Sequence, residues 1–201
     1  MLTRALPVCG LLVLAAACTS PTPTPSPTVP TFTTTTAATT TTARAAKLPG
    51  DCGSLLSSQN VDLALGQPLV GRVRGIVGVP EPKINRLERL TCQYGLPDNA
   101  PPPGQPQPVP LEVSVSRYTD DASAAQRVND TIESERTQGA APSTVPVGPV
   151  TGTVLLRQDR RTLVAASGPM TLAINIAPGL VDDRVADVLS DLGGRVLTAL
   201  G

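Results

Sequence analysis

Apolar residues are spread along the chain in three ways, and each predicts a different kind of segment. From 7 to 17 they run almost without a break. From 19 to 46 they nearly vanish. From 48 onward they recur at spacings of two, or of three and four, which are the periods of strands and helices. In this last region "DCGSLLSSQNVDLALG" predicts a short helical stretch ending at Gly66. "RLERLTCQYGL", 86–96, predicts a strand. "LEVSVSRYT", 111–119, alternates cleanly, with Leu111, Val113 and Val115 on one side and Glu112, Ser114 and Ser116 on the other. Thr119 is placed to cap a helix that follows, where Asp120 and Asp121 favour the amino-terminal dipole and Gly139 ends the run. Its apolar stripe (Ala125, Val128, Ile132) is thin, so this helix should lie on the surface of a sheet.

Three further strands are expected at "GTVLLRQ", "RTLVAAS" and "MTLAINIA". A final helix over 180–200 carries Val181, Val185, Val188, Leu189, Leu192, Val196 and Leu200 on one face. Gly193 and Gly194 each weaken that helix by ~1 kcal/mol relative to alanine, which predicts a bend. Two stretches read as irregular. Gly71, Gly75, Gly78, Pro80 and Pro82 interrupt 67–84, and 97–110 holds seven prolines in fourteen residues. The order α, β, β, α, β, β, β, α, with hairpins between strands, predicts an α+β domain. It should be a mainly antiparallel sheet with helices packed on one face. The regular βα repeats of a parallel sheet are absent.

The first two segments concern location. One basic residue, Arg4, precedes the apolar run Pro7–Ala17, which is far shorter than the ~20 residues of a membrane-spanning helix. With small residues at Ala15, Ala16 and Ala17, residues 1–17 read as a secretory signal peptide. Plain cleavage would leave Cys18 as a bare thiol, whereas lipoprotein processing would cut there after the thiol is alkylated by diacylglycerol; an uncleaved anchor is the third route. Cysteine arithmetic favours lipidation. Cys9 leaves with the signal, and an exported protein normally pairs its thiols, so lipidating Cys18 leaves Cys52 and Cys92 as one pair. Two acyl chains suffice for stable attachment to a membrane. Residues 18–47 then form a stalk. Its stretch 19–46 has thirteen Thr and five Pro and too little apolar surface to offset its ordering entropy. At ~3.1 Å per residue in polyproline geometry it reaches at most about 90 Å, whether glycosylated or bare.

Residues 48–201 make the folded domain. A disulfide between Cys52 and Cys92 would close a loop with 40 residues of separation, contributing roughly 4 kcal/mol in the chain-entropy model. A redox or metal pair is the rival, but the CxxC spacing and the histidines it would draw on are missing.

Composition excludes more than it assigns. The whole chain has 16 basic and 16 acidic residues, and the part from Leu48 onward has 13 basic against 16 acidic. Three aromatics (Phe32, Tyr94, Tyr118) and a mildly acidic domain argue against nucleic acid as a partner. With no histidine, triads of the usual kind and histidine-rich zinc catalysis are out of reach. SxxK spacing is absent, since Arg44 and Pro80 stand three residues before the two lysines. No GxSxG, Walker or GxGxxG pattern occurs. "GRVRGIVG", 71–78, suggests a phosphate loop only superficially, and Arg72 and Arg74 read as solvated loop charges or as contacts for an anionic head group. Asp120 with Asp121, and Asp182 with Asp183, are explained by helix starts. Tyr94 and Tyr118 read as half-buried sheet tyrosines or as lining of a cleft. The proline stretch 97–110 reads as a surface insertion or a polyproline ligand. No catalytic residue, metal ligand or cofactor is assigned, and no ligand-binding residue is named.

The lipobox-like "LAAAC", the Thr/Pro stalk, "DCGSLL", "TCQYGL", "DDASAAQRV" and the closing amphipathic helix occur together. In this the chain resembles actinobacterial envelope lipoproteins of unknown function, related to the extracellular sensor-like domain of a serine/threonine kinase. Fourteen arginines against two lysines fit the GC-rich genome of such an organism. The resemblance covers roughly 48–201 and implies an α+β fold with a cleft for a ligand, without established catalytic residues. The kinase domain has a second disulfide, for which this chain has no cysteines. The expectation is a lipid-anchored, non-enzymatic binding, sensor-like or accessory module on the outer face of the cytoplasmic membrane. Its partners would be the membrane, through the anchor, and an envelope ligand or protein, with the chain itself a monomer. A carrier of lipid or glycolipid and a carboxylate-based envelope hydrolase are the alternatives.

Overall fold

The computed structural model describes residues 47–99, 101–102 and 104–201. The expected signal peptide, Cys18 and nearly all of the stalk lie outside the described residues. Two short helices come first, α1 (Cys52–Leu55) and α2 (Ser58–Leu65). The single stretch expected here is broken because Ser57 turns extended and its hydroxyl accepts the N–H of Asn60, capping a new helix. Gly66 closes α2 in the left-handed region, as expected.

Seven strands follow: β1 (Arg72–Gly78), β2 (Arg86–Leu96), β3 (Leu111–Tyr118), β4 (Ala141–Val147), β5 (Val150–Leu156), β6 (Arg161–Ser167) and β7 (Met170–Ile176). Helix α3 (Asp121–Thr137) lies between β3 and β4, and α4 (Val185–Leu200) ends the chain. All seven strands form one sheet in the order β1-β2-β3-β7-β6-β5-β4. Every neighbouring pair is antiparallel. The α+β, antiparallel class is the one expected.

Strand β1 replaces an expected loop. Gly75 pairs with Cys92, and a Cβ there would come within 3.1 Å of the Cys52 Sγ. That glycine lets β1 run close beside the disulfide, and it does not break the strand. The Cys52–Cys92 bond joins α1 to β2 with Cα atoms 5.6 Å apart. Strand β4 was also not expected. Pro142 and Pro146 lie in it, and they are tolerated because β4 is an edge strand with only β5 beside it.

The core lies between one face of the sheet and helices α1, α2 and α4. Val113, Val115, Leu163, Leu172, Ile174 and Ile176 meet Leu55, Val61, Leu189, Leu192 and Val196 there. Helix α3 takes the opposite face. Val128 and Ile132 pack with the buried Leu155 and Val164. Three helices thus share a face as expected, and the fourth does not. The reason is visible in β5, β6 and β7, where Leu155, Val164 and Ala173 add a small apolar patch to the second face.

Two helix boundaries move as well. Asp120, not Thr119, caps α3, its Oδ1 accepting the Ser123 N–H at 2.7 Å. Ala124, not Ala125, is the buried alanine of that helix. Helix α4 starts at Val185 rather than 180, so Asp182 and Asp183 precede it instead of sitting in its first turn. It runs through Gly193 and Gly194 as one helix. A Cβ on Gly193 would meet Val147 at 2.6 Å and Leu163 at 2.9 Å, so the glycine serves the close approach of α4 to the sheet.

Candidate functional site

The positions of β2, β3, β7 and β6 that alternate with the core residues are mostly polar, and hydrogen bonds join them across the sheet. In one row, Arg74 donates to the Gln93 Oε1 at 2.6 and 3.0 Å. Gln93 Nε2 donates to Glu112 at 2.8 Å, and Asn175 Nδ2 lies 3.5 Å from the other Glu112 oxygen. Thr162 Oγ1 donates to the Asn175 Oδ1 at 2.8 Å. This row crosses five strands, aligned by the register of the pairings. A second row holds Arg89, whose Nε donates to the Thr91 Oγ1 at 3.1 Å and whose Nη2 donates to the Ser114 Oγ at 3.3 Å. Thr91, Gln93, Ser114 and Thr162 are buried, and the hydrogen bonds offset the desolvation that burial imposes.

Helix α3 covers this polar face only in part, because its apolar stripe is short. Between the helix and the strands lies a cleft of about 300 Å³. Arg86 and Arg89 of β2 and Ser116 and Tyr118 of β3 line it. Arg127, Thr131 and Glu135 of α3 form the opposite wall, and Glu112, Asn175, Thr162 and Arg160 lie along it as well. Four arginines therefore face two carboxylates. Glu135 is already paired with Arg157 at 3.2 Å, and Glu112 takes the amides of Gln93 and Asn175. Among the described residues, no carboxylate lies within ion-pair distance of Arg89, Arg127 or Arg160. Arg86 is paired with Glu81 through its Nη2 at 2.7 Å, yet its buried Nε has no acceptor among the described residues. The cleft is thus a cationic, hydroxyl-rich slot.

The residues singled out in the sequence fall in and out of this site. Tyr118 lines the cleft, although it is buried rather than half-buried. Tyr94 faces the helix-side core, where its hydroxyl donates to the Leu56 carbonyl at 2.8 Å and burial pushes its phenol pKa upward. Arg72 and Arg74 belong to a strand and not to a phosphate loop. Arg72 Nη2 donates to the Pro97 carbonyl at 2.8 Å, and Arg74 is taken up by Gln93. Asp120 caps α3, and the Ser123 N–H holds its carboxyl below the usual range. Cys18 lies outside the described residues. Arg86, Arg89, Glu112, Arg127 and Asn175 were not singled out. The available signal was the short hydroxyl residues Ser114 and Ser116 on the polar side of β3, where a solvent-facing strand more often carries long charged chains.

Elsewhere, the Glu88–Arg117 pair at 3.0 Å lowers the Glu88 pKa, and Glu88 also accepts the N–H of Leu48 at 3.2 Å. That contact ties the start of the domain to β2. Among the described residues, no group of three His, Cys, Asp or Glu side chains is placed to hold a metal ion. None of the described helices is long and apolar enough to cross a membrane.

No family model matches the sequence, and no curated protein matches it. Among solved structures, the chain is similar to the extracellular domain of the kinase PknH from Mycobacterium tuberculosis. The likeness is distant, with 8% sequence identity and a TM-score of 0.45, over 73% of this chain and 94% of that one.

Proposed function

We propose that the protein is an extracytoplasmic lipoprotein, lipidated at Cys18, whose domain binds an envelope component in the cleft beneath α3 without transforming it. The leader, the lipobox-like "LAAAC" and the Thr/Pro stalk support the anchor. The observation that carries the binding role is the set of cleft arginines, Arg89, Arg127 and Arg160, which have no carboxylate partner among the described residues and share the cleft with hydroxyls. Cations without carboxylate partners that converge on one concave site attract a polar or anionic ligand.

The alternatives fit this cleft less well. A lipid carrier calls for an apolar cavity, and this one is lined by charges and hydroxyls. A hydrolase calls for two carboxylates free to handle a proton, whereas Glu112 and Glu135 are both engaged.

The test uses the full chain, expressed in an actinobacterium and extracted in detergent. Mass spectrometry of its amino-terminal peptide is expected to show diacylglycerol on Cys18, and Cys18→Ser is expected to release the protein into the medium. Polar envelope extract passed over the immobilised chain is expected to leave a small component bound. Val128→Trp, which adds bulk where the cleft meets the packing patch of α3, is expected to abolish its retention while the circular dichroism spectrum stays that of the folded chain. Retention unchanged by Val128→Trp, or turnover of that component, would overturn the binding role.

A further inference from the structure

The cleft has two chemically distinct ends, and their difference says what its ligand carries. Asn85 donates to the Ser123 hydroxyl at 3.0 Å, which fixes the amino-terminal end of α3 over the start of β2. At the other end, Arg157 joins Glu135 of α3 to the turn between β5 and β6. Arg127, one turn beyond Ser123, therefore lies toward the first end. There the register sets Arg86 opposite Tyr118 and Arg89 opposite Ser116. Among the described residues, this end holds three arginines and two hydroxyls, and no carboxylate lines it. The other end holds Glu112, Asn175, Thr162 and Glu135 together with Arg160 of the β5–β6 turn, so acceptors and donors are mixed there.

We propose, on the strength of the binding role above, that the Arg86–Arg89–Arg127 end seats a phosphoryl group, and that the Glu112–Asn175–Thr162 end takes hydroxyls attached to it. Three features carry this. Arg89 is held from behind by Thr91 and Ser114, so its guanidinium is ordered before a ligand arrives. Arg127 projects from the opposite wall with no ion-pair partner among the described residues. The buried Nε–H of Arg86 lacks an acceptor among the described residues, and an oxyanion would supply one. A tetrahedral dianion offers enough oxygens for forked guanidinium contacts from two walls at once, which a single carboxylate does not. The same group occurs on soluble phosphate esters and on lipid head groups.

Equilibrium dialysis of the detergent-purified full chain against labelled inorganic phosphate, with ionic strength held by potassium chloride, is the test. Saturable binding of one phosphate per chain is expected. Arg127→Gln, at a solvent-accessible position of α3 beside the cleft, is expected to weaken it about tenfold, the loss of one charge-assisted contact. Arg195→Gln, outside this cleft, is expected to leave it unchanged. Competition by glycerol 3-phosphate but not by micelles containing phosphatidic acid assigns the group to a soluble ester, and the reverse assigns it to a lipid head group. No saturable binding, or equal binding by the Arg127→Gln protein, overturns the proposal. If the envelope component is then still lost with Val128→Trp but kept with Arg127→Gln, the phosphoryl assignment alone fails. If neither substitution affects its retention, the binding role of the cleft fails with it.

Discussion

Toward α1, α2 and α4 the strands present Val113, Val115, Leu163, Leu172, Ile174 and Ile176; toward α3, intervening positions of the same strands are Glu112, Ser114, Ser116, Thr162, Thr171 and Asn175. The first face is closed by three helices and a disulfide. The second is closed only where Leu155, Val164 and Ala173 meet Val128 and Ile132 of α3, and is left as a cleft elsewhere. Burying polar groups costs free energy unless each finds a partner, so a polar face beneath a helix contributes less to stability than an apolar one. Three arginines of this face have no ion-pair partner among the described residues, and the proposed division of labour rests on that contrast: one face holds the fold, and the other is the proposed ligand face.

Substitutions on the helix-side face should therefore lower stability, and removal of the unpartnered cleft charge of Arg127 should alter binding alone. The largest effect is expected from Cys92→Ser with Cys52→Ser, which opens a loop of 40 residues separation. Denaturant unfolding followed by circular dichroism should show a loss of about 4 kcal/mol. Leu192→Ala, at a fully buried position facing the sheet, should cost about 3 kcal/mol in the same measurement. Tyr94→Phe removes the hydrogen bond to the Leu56 carbonyl and should cost about 1 kcal/mol.

The Glu88–Arg117 pair gives a smaller, pH-dependent effect. Its carboxyl pKa is lowered in the fold, so its contribution is complete above the ordinary glutamate pKa of about 4.3 and disappears as pH falls through the folded value. The pair is partly exposed, which holds this to about 1 kcal/mol or less, and unfolding of Glu88→Gln should lose that part of the acid dependence. Smallest of all, Arg127→Gln should change stability by less than about 0.5 kcal/mol while still weakening the ligand. A large stability loss from Arg127→Gln would blur the contrast between the faces.

Much of the first face was legible in the sequence, and little of the second. Strand β2 is found over the expected residues, and β3 ends one residue short of the expected Thr119, because alternation and flanking turn residues agree there. Strand β1 was obscured by glycines whose purpose is spatial: Gly75 makes room for a sulfur brought from α1, a contact with no local signature. Strand β4 was obscured by Pro142 and Pro146, which only its edge position permits. The cleft draws on β2, β3, α3, β6 and β7, so its arginines are scattered from Arg86 to Arg160 and resemble solvated charges one at a time. Only the register brings Arg89 beside Ser116 and Glu112 beside Asn175.

Hydrogen exchange of the full chain, with and without the retained envelope component, tests the central claim most directly. Added protection is predicted in β3 (Leu111–Tyr118) and α3 (Asp121–Thr137), with α4 (Val185–Leu200) unchanged. Protection confined to α2 and α4, with β3 and α3 unaffected, would place the ligand on the other face and contradict the account.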